Sequence, residues 1–108
     1  MSVEIEVFDG RQLAAARALA GLSLAELAQA AGVTKRTVHR LEIGGVAHVS
    51  DKLRHGFVSR DVFQRLTEAL ARHGVELIVE TGRVGSGVRW MRPRAHRTRR
   101  AASSGDRP

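Results

Sequence analysis

Residues 24–43, LAELAQAAGVTKRTVHRLEI, constrain the fold of this 108-residue chain more than any other stretch. Ser23 stands before Leu24, and Glu26 lies three positions further on. This S-x-x-E pattern is a capping box, in which each side chain accepts a backbone N–H left open at a helix start. Leu24, Leu27, Ala28 and Ala31 then recur at helical spacing, which predicts a helix with one apolar face. Gly32 ends it, because glycine adopts the left-handed backbone without the steric cost that other residues carry. Val33 is placed to tuck under the turn, and Thr34 is a good N-cap for a second helix. In that second helix Val38, Leu41 and Ile43 are expected to point inward, while Lys35, Arg36, His39 and Arg40 fall on the other side.

Two helices cross at roughly 90–120° over so short a turn only where their contact point is small and the turn bends sharply. Ala28 supplies the small contact and Gly32 the bend. The second helix then projects, and its cationic N-terminal half suits a major groove about 12 Å wide. The segment resembles the XRE type of helix-turn-helix protein, the family of the phage Cro and repressor proteins. The resemblance runs from about Leu13 to Gly44 and more loosely to Leu77. It is carried by Ala28, Gly32, Val33, Val38 and Leu41, with Ser23, Glu26 and Glu42 around them. It implies that Lys35, Arg36 and Arg40 approach base edges, with Thr34 near the DNA backbone. It also implies a structural ion pair between Arg17 and Glu42.

Composition narrows the alternatives. Three Phe, one Trp and no Tyr leave little for stacking on single-stranded bases. The absence of cysteine excludes a disulfide framework and a thiolate zinc site. No apolar run approaches the length of a membrane span, and the start, MSVEIEVFDG, lacks the regions of a signal peptide, so a cytoplasmic protein is expected. The net charge of +7 sits mostly in residues 89–108, which carry seven arginines and one aspartate. The case for DNA therefore rests on local geometry in the second helix, and the tail adds only nonspecific phosphate attraction.

The remaining segments complete a mainly α fold: a compact helix-turn-helix domain of about four helices with a small β-sheet and a disordered basic tail. Val3, Ile5 and Val7 alternate with glutamates, a short strand within an N-terminal segment and linker, 1–10. The helical domain spans 11–74. In it Asp9 caps a helix over 11–20 with Leu13, Ala16, Leu19 and Ala20 buried, Gly21 ends that helix, and Leu22 packs back beneath. Residues 44–58 read as a loop that either lies in solvent or follows a DNA backbone, or as a β-like excursion, with Lys52, Arg54, His48 and His55 in it. Ser59 caps a helix over about 60–73, whose Val62, Phe63, Leu66, Ala69 and Leu70 face the core, and Gly74 closes it. Residues 75–92 form a β-hairpin. A lone hairpin is marginal in water, so residues 3–7 are expected as its third strand, from the same chain or a second subunit, and the sheet is expected to build a homodimer. Residues 93–108 bury too little apolar surface to fold.

The function expected is that of a double-stranded DNA-binding transcriptional regulator, a repressor acting as a homodimer on an inverted repeat. Gln29, Thr34 and Thr37 are the candidates for phosphate contact, Lys35, Arg36 and Arg40 for base edges, and His39 for either or for solvent. Two other readings stay open. One is an antitoxin or autoregulator whose hairpin and tail hold a protein partner. The other is a protein-interaction module that keeps the shape without reading DNA. No catalytic pair, cofactor motif or tight metal spacing stands out. The glycine-rich T-G-R-V-G-S-G lacks the lysine of a phosphate loop, and His48 and His55 with Asp51 between them read as ordinary loop residues.

Overall fold

The computed structural model describes residues 7–51 and 57–93, the side chain of Phe57 excepted. The elements run β1 (Val7–Asp9), α1 (Gly10–Ala20), α2 (Leu24–Ala31), α3 (Lys35–Ile43), β2 (Val46–Ser50), β3 (Phe57–Ser59), α4 (Arg60–Arg72), β4 (Val75–Ile78) and β5 (Gly87–Trp90). This is the expected four-helix plan with small sheets. The expected tail from residue 94 onward, the strand residues Val3 and Ile5, and Lys52, Arg54 and His55 lie outside the described residues.

Local chemistry sets the helix ends. Asp9, Ser23, Thr34 and Ser59 each cap a helix by accepting a backbone N–H from its first turn. Gly21 and Gly32 both take the left-handed conformation, at φ 74° and 72°. After each, an apolar residue sends its N–H back, Leu22 to the Arg17 carbonyl and Val33 to that of Ala28. This six-to-one bond satisfies carbonyls that the helix leaves open and folds the apolar residue against the core. The connection between α2 and α3 is therefore three residues long, Gly32 to Thr34.

Leu27, Val38, Leu66, Leu70 and Val75 are fully buried, and with Leu13, Ala16, Ala28, Ala31 and Ala69 they join the helices into one core. Phe8 stacks at a tilt on Phe63, ring centres 5.3 Å apart, and ties β1 to α4. Alanines at 16, 28, 31 and 69 let the helix axes approach closely.

Two expectations are corrected. The first concerns the sheets. Of the expected third strand, 3–7, only Val7 is described; it begins β1, which pairs antiparallel with β2 and not with the hairpin of this chain, Phe8 opposite Ala47, and β2 pairs parallel with β3, Val49 opposite Val58. Residues 44–58 thus contain two strands. A parallel pair normally needs a long crossover, but only three residue pairs are matched here, so the chain between Ser50 and Phe57 has about 7 Å to regain. The reason for the changed partner lies at Gly10, whose N–H donates to the Gly45 carbonyl at 2.8 Å and draws β1 to the chain leaving α3. The hairpin β4–β5 finds its support elsewhere, on α1 and α4. The side chain of Gln12, 7% exposed, donates to the carbonyls of Ile78 and Gly87 at 3.0 and 2.9 Å and fastens the hairpin to α1.

The second correction is Ile43, which is 70% exposed and does not point inward. It lies five residues after the buried Val38, about 140° around the helix from it.

Candidate nucleic-acid interface

α3 packs on α1 and α2. Val38 is its fully buried anchor and Leu41 is half-buried, whereas Lys35, Arg36, His39 and Arg40 are all exposed. Ala28, 4% exposed, sits in the α2 layer beneath. None of the four exposed basic residues has an ion-pair or hydrogen-bond partner among the described residues.

The C-terminal half of α3 is fixed by α1 at two points. At the first, Gly10 is so close to the helix that an added Cβ would run into the carbonyl oxygens of Leu41 and Glu42. At the second, the Arg17 guanidinium forks onto the Glu42 carboxylate, Nε 2.6 Å from Oε2 and Nη2 3.1 Å from Oε1. Arg17 Nη1 also donates to the Leu22 carbonyl at 3.0 Å, so one side chain clamps the end of α1, the turn after it and α3. The hydrogen bonds to Glu42 hold the guanidinium above its usual range of protonation. Pairing also consumes the one carboxylate of α3, so no acidic side chain of the helix itself offsets its exposed cations.

The N-terminal end of α3 is equally defined. Thr34 Oγ1 accepts the Thr37 N–H at 3.1 Å and donates its hydroxyl hydrogen to Thr37 Oγ1 at 2.9 Å. Thr34 is thereby committed to the cap. The Thr37 hydroxyl keeps its own hydrogen to donate, and the amides of Lys35 and Arg36 head the helix with no carbonyl one turn back. A helix start of this kind favours an anion.

Gln29 has a different setting. It is exposed at the end of α2 and borders a shallow polar hollow against α4, with Asp61, Gln64, Arg65 and Arg72 around it. Arg72 caps the Ala30 carbonyl there at 2.6 Å and holds the end of α2 to the last turn of α4. His48 is exposed on β2. Among the described residues no cluster of histidine and acidic side chains could hold a metal ion, and no helix is long and apolar enough to cross a membrane.

Two structural roles are not evident from the sequence: that of Gly10, which seats α1 against α3, and that of Gln12, which fastens the hairpin to α1. The signal for Gln12 is the D-G-R-Q run, a second capping box, in which Gln12 Oε1 faces the Asp9 N–H at 3.4 Å. Asp9 itself bonds the Arg11 side chain and amide, which lowers its pKa, and the Ser23 N–H does the same for Glu26.

No curated protein matches the chain significantly. The sequence profile of the helix-turn-helix domain family matches residues 10–77, from the glycine under α3 to the middle of β4. That span covers well over half of the chain and is consistent with the XRE-type resemblance, and the chain therefore belongs to the helix-turn-helix domain family.

Proposed function

We propose that this protein is a sequence-specific double-stranded DNA-binding transcriptional regulator that reads DNA with α3. One observation carries the reading: Lys35, Arg36, His39 and Arg40 are exposed, without partners among the described residues, on a short helix held by α1 and α2. Phosphates set the register and base edges set the sequence. The Thr37 hydroxyl and the amides of Lys35 and Arg36 suit a phosphate, with Gln29 and Thr34 flanking. Arg36, Lys35 and Arg40 suit base edges, and arginine forks onto guanine O6 and N7, which favours a site containing G·C pairs. His39 stands beside them. No catalytic group or cofactor is required, and the protein acts as a binder rather than an enzyme, in the prokaryotic cytosol or nucleoid.

One reading helix spans few base pairs, so two copies would read an inverted repeat with half-sites roughly 34 Å apart, as a repressor occupying an operator. Support for a homodimer comes from Val7, Ile43 and Val46, apolar side chains exposed near the end of α3. Selection of bound duplexes from a random DNA pool tests the reading. A palindromic motif is expected; an unenriched pool would overturn it. The antitoxin or autoregulator reading gains support from an open groove at the end of the hairpin, lined by Trp90 and Met91.

A further inference from the structure

We propose that the groove between the end of α4 and the end of β5 is a docking site for an acidic peptide segment carrying a large apolar side chain. The groove, about 590 Å³, has Gly74, Trp90 and Met91 for its apolar part and Arg72, His73 and Arg92 for its basic rim. Among the described residues no carboxylate lines it. The Trp90 ring lies over Gly74, where an added Cβ would touch the ring at 3.7 Å, so the missing side chain leaves the ring close to the backbone. The Met91 N–H donates to the Gly74 carbonyl at 2.8 Å and fixes the floor. Met91 is nonetheless 49% exposed, a large apolar side chain that the fold covers only in part.

The rim selects the occupant. Arg72 spends Nη2 on the Ala30 carbonyl and His73 spends Nδ1 on that of Ala69, and among the described residues the other nitrogens of both have no hydrogen-bond partner. Glu26, whose carboxylate feels the charge of His73, is turned to the Ser23 amide. Pro93 also lines the groove, and the sequence after it carries five more arginines in residues 94–108, so like charge disfavours this chain's own tail as the occupant. Duplex DNA offers phosphates but no apolar knob for a floor of tryptophan and methionine. α3 packs on α1 and α2, whereas the groove belongs to α4 and the hairpin, so the two surfaces can work independently.

Trp90 is the chain's one tryptophan and reports on its own site. The full-length protein is titrated with a capped octapeptide of glutamates and aspartates around a Leu-Phe pair. The controls are the same peptide with alanines for that pair, and a thymidine oligonucleotide. A saturable change in Trp90 emission is expected with the first peptide alone. Arg92→Glu and Met91→Ala should each weaken it about tenfold, with duplex affinity unchanged for Met91→Ala and the far-ultraviolet circular dichroism unchanged for both. The proposal is overturned if the alanine peptide binds equally, which would assign the attraction to the arginine tail. It is also overturned if the oligonucleotide gives the stronger change, or if neither variant weakens the response. Duplex selection reads α3 alone, so failure here leaves the DNA-binding reading standing, and the converse holds.

Discussion

Arg17 and Glu42 form a forked ion pair across α1 and α3, with the Glu42 side chain 7% exposed. Removing one partner strands the other charge away from water. Arg17→Ala is therefore expected to cost about 2–4 kcal/mol of stability, more than a surface ion pair is worth. Glu42→Gln keeps one acceptor for the fork and should lose less. Thermal or urea unfolding measures both, and a melting curve unchanged by Arg17→Ala would mean the pair is ornamental.

Gly10 has no room for a methyl group against the Leu41 and Glu42 carbonyls. Gly10→Ala must push α1 away from α3, and backbone atoms do not yield as side chains do. A loss of about 2–3 kcal/mol or more is expected, with weaker DNA binding at temperatures where the variant is still folded, because the aim of α3 shifts. Wild-type affinity and melting in this variant would refute the close approach.

Two capping carboxylates set the acid limb of stability. The Arg11 side chain and amide hold Asp9 below its ordinary 3.8, and the Ser23 amide and hydroxyl hold Glu26 below its ordinary 4.5. A depressed folded-state pKa contributes stability above the unfolded value, and that contribution is lost as the pH falls through the folded one. Melting temperature should therefore fall as the pH drops below about 4.5. Glu26→Gln retains a capping acceptor but cannot titrate, so its acid limb should be shallower. Superimposable acid limbs would contradict this.

Arg36 stands exposed in the first turn of α3. Arg36→Ala is expected to lose about 1–3 kcal/mol on the selected duplex and to relax preference at one base pair. Gel-shift or anisotropy titrations on single-base variants of the site read both quantities. An equal loss on random DNA would assign Arg36 to phosphate contact only.

What the sequence made legible follows the range of the interactions. Caps at Asp9, Ser23, Thr34 and Ser59, and the helix ends at Gly21 and Gly32, depend on hydrogen bonds spanning a few residues, and all six are read directly from the chain. The exposed basic face of α3 was equally legible, because helical spacing from Val38 places it. The partner of β1 was not, since alternation marks a strand without saying what it pairs with. The choice is made by Gly10 and Gly45, thirty-five residues apart. The role of Gln12 was hidden for the same reason: its acceptors, Ile78 and Gly87, lie at the far end of the chain. Ile43 was misplaced because an apolar residue at a helix end was assigned to the core by type rather than by angle.

Entry of α3 into the groove of duplex DNA is read most directly from backbone amide NMR shifts of the full chain, followed as the selected duplex is added. The largest changes are predicted over Thr34 to Arg40, with the fully buried residues of α4 little moved. Strong changes confined to the hairpin or α4, with the α3 amides unaffected, would contradict it.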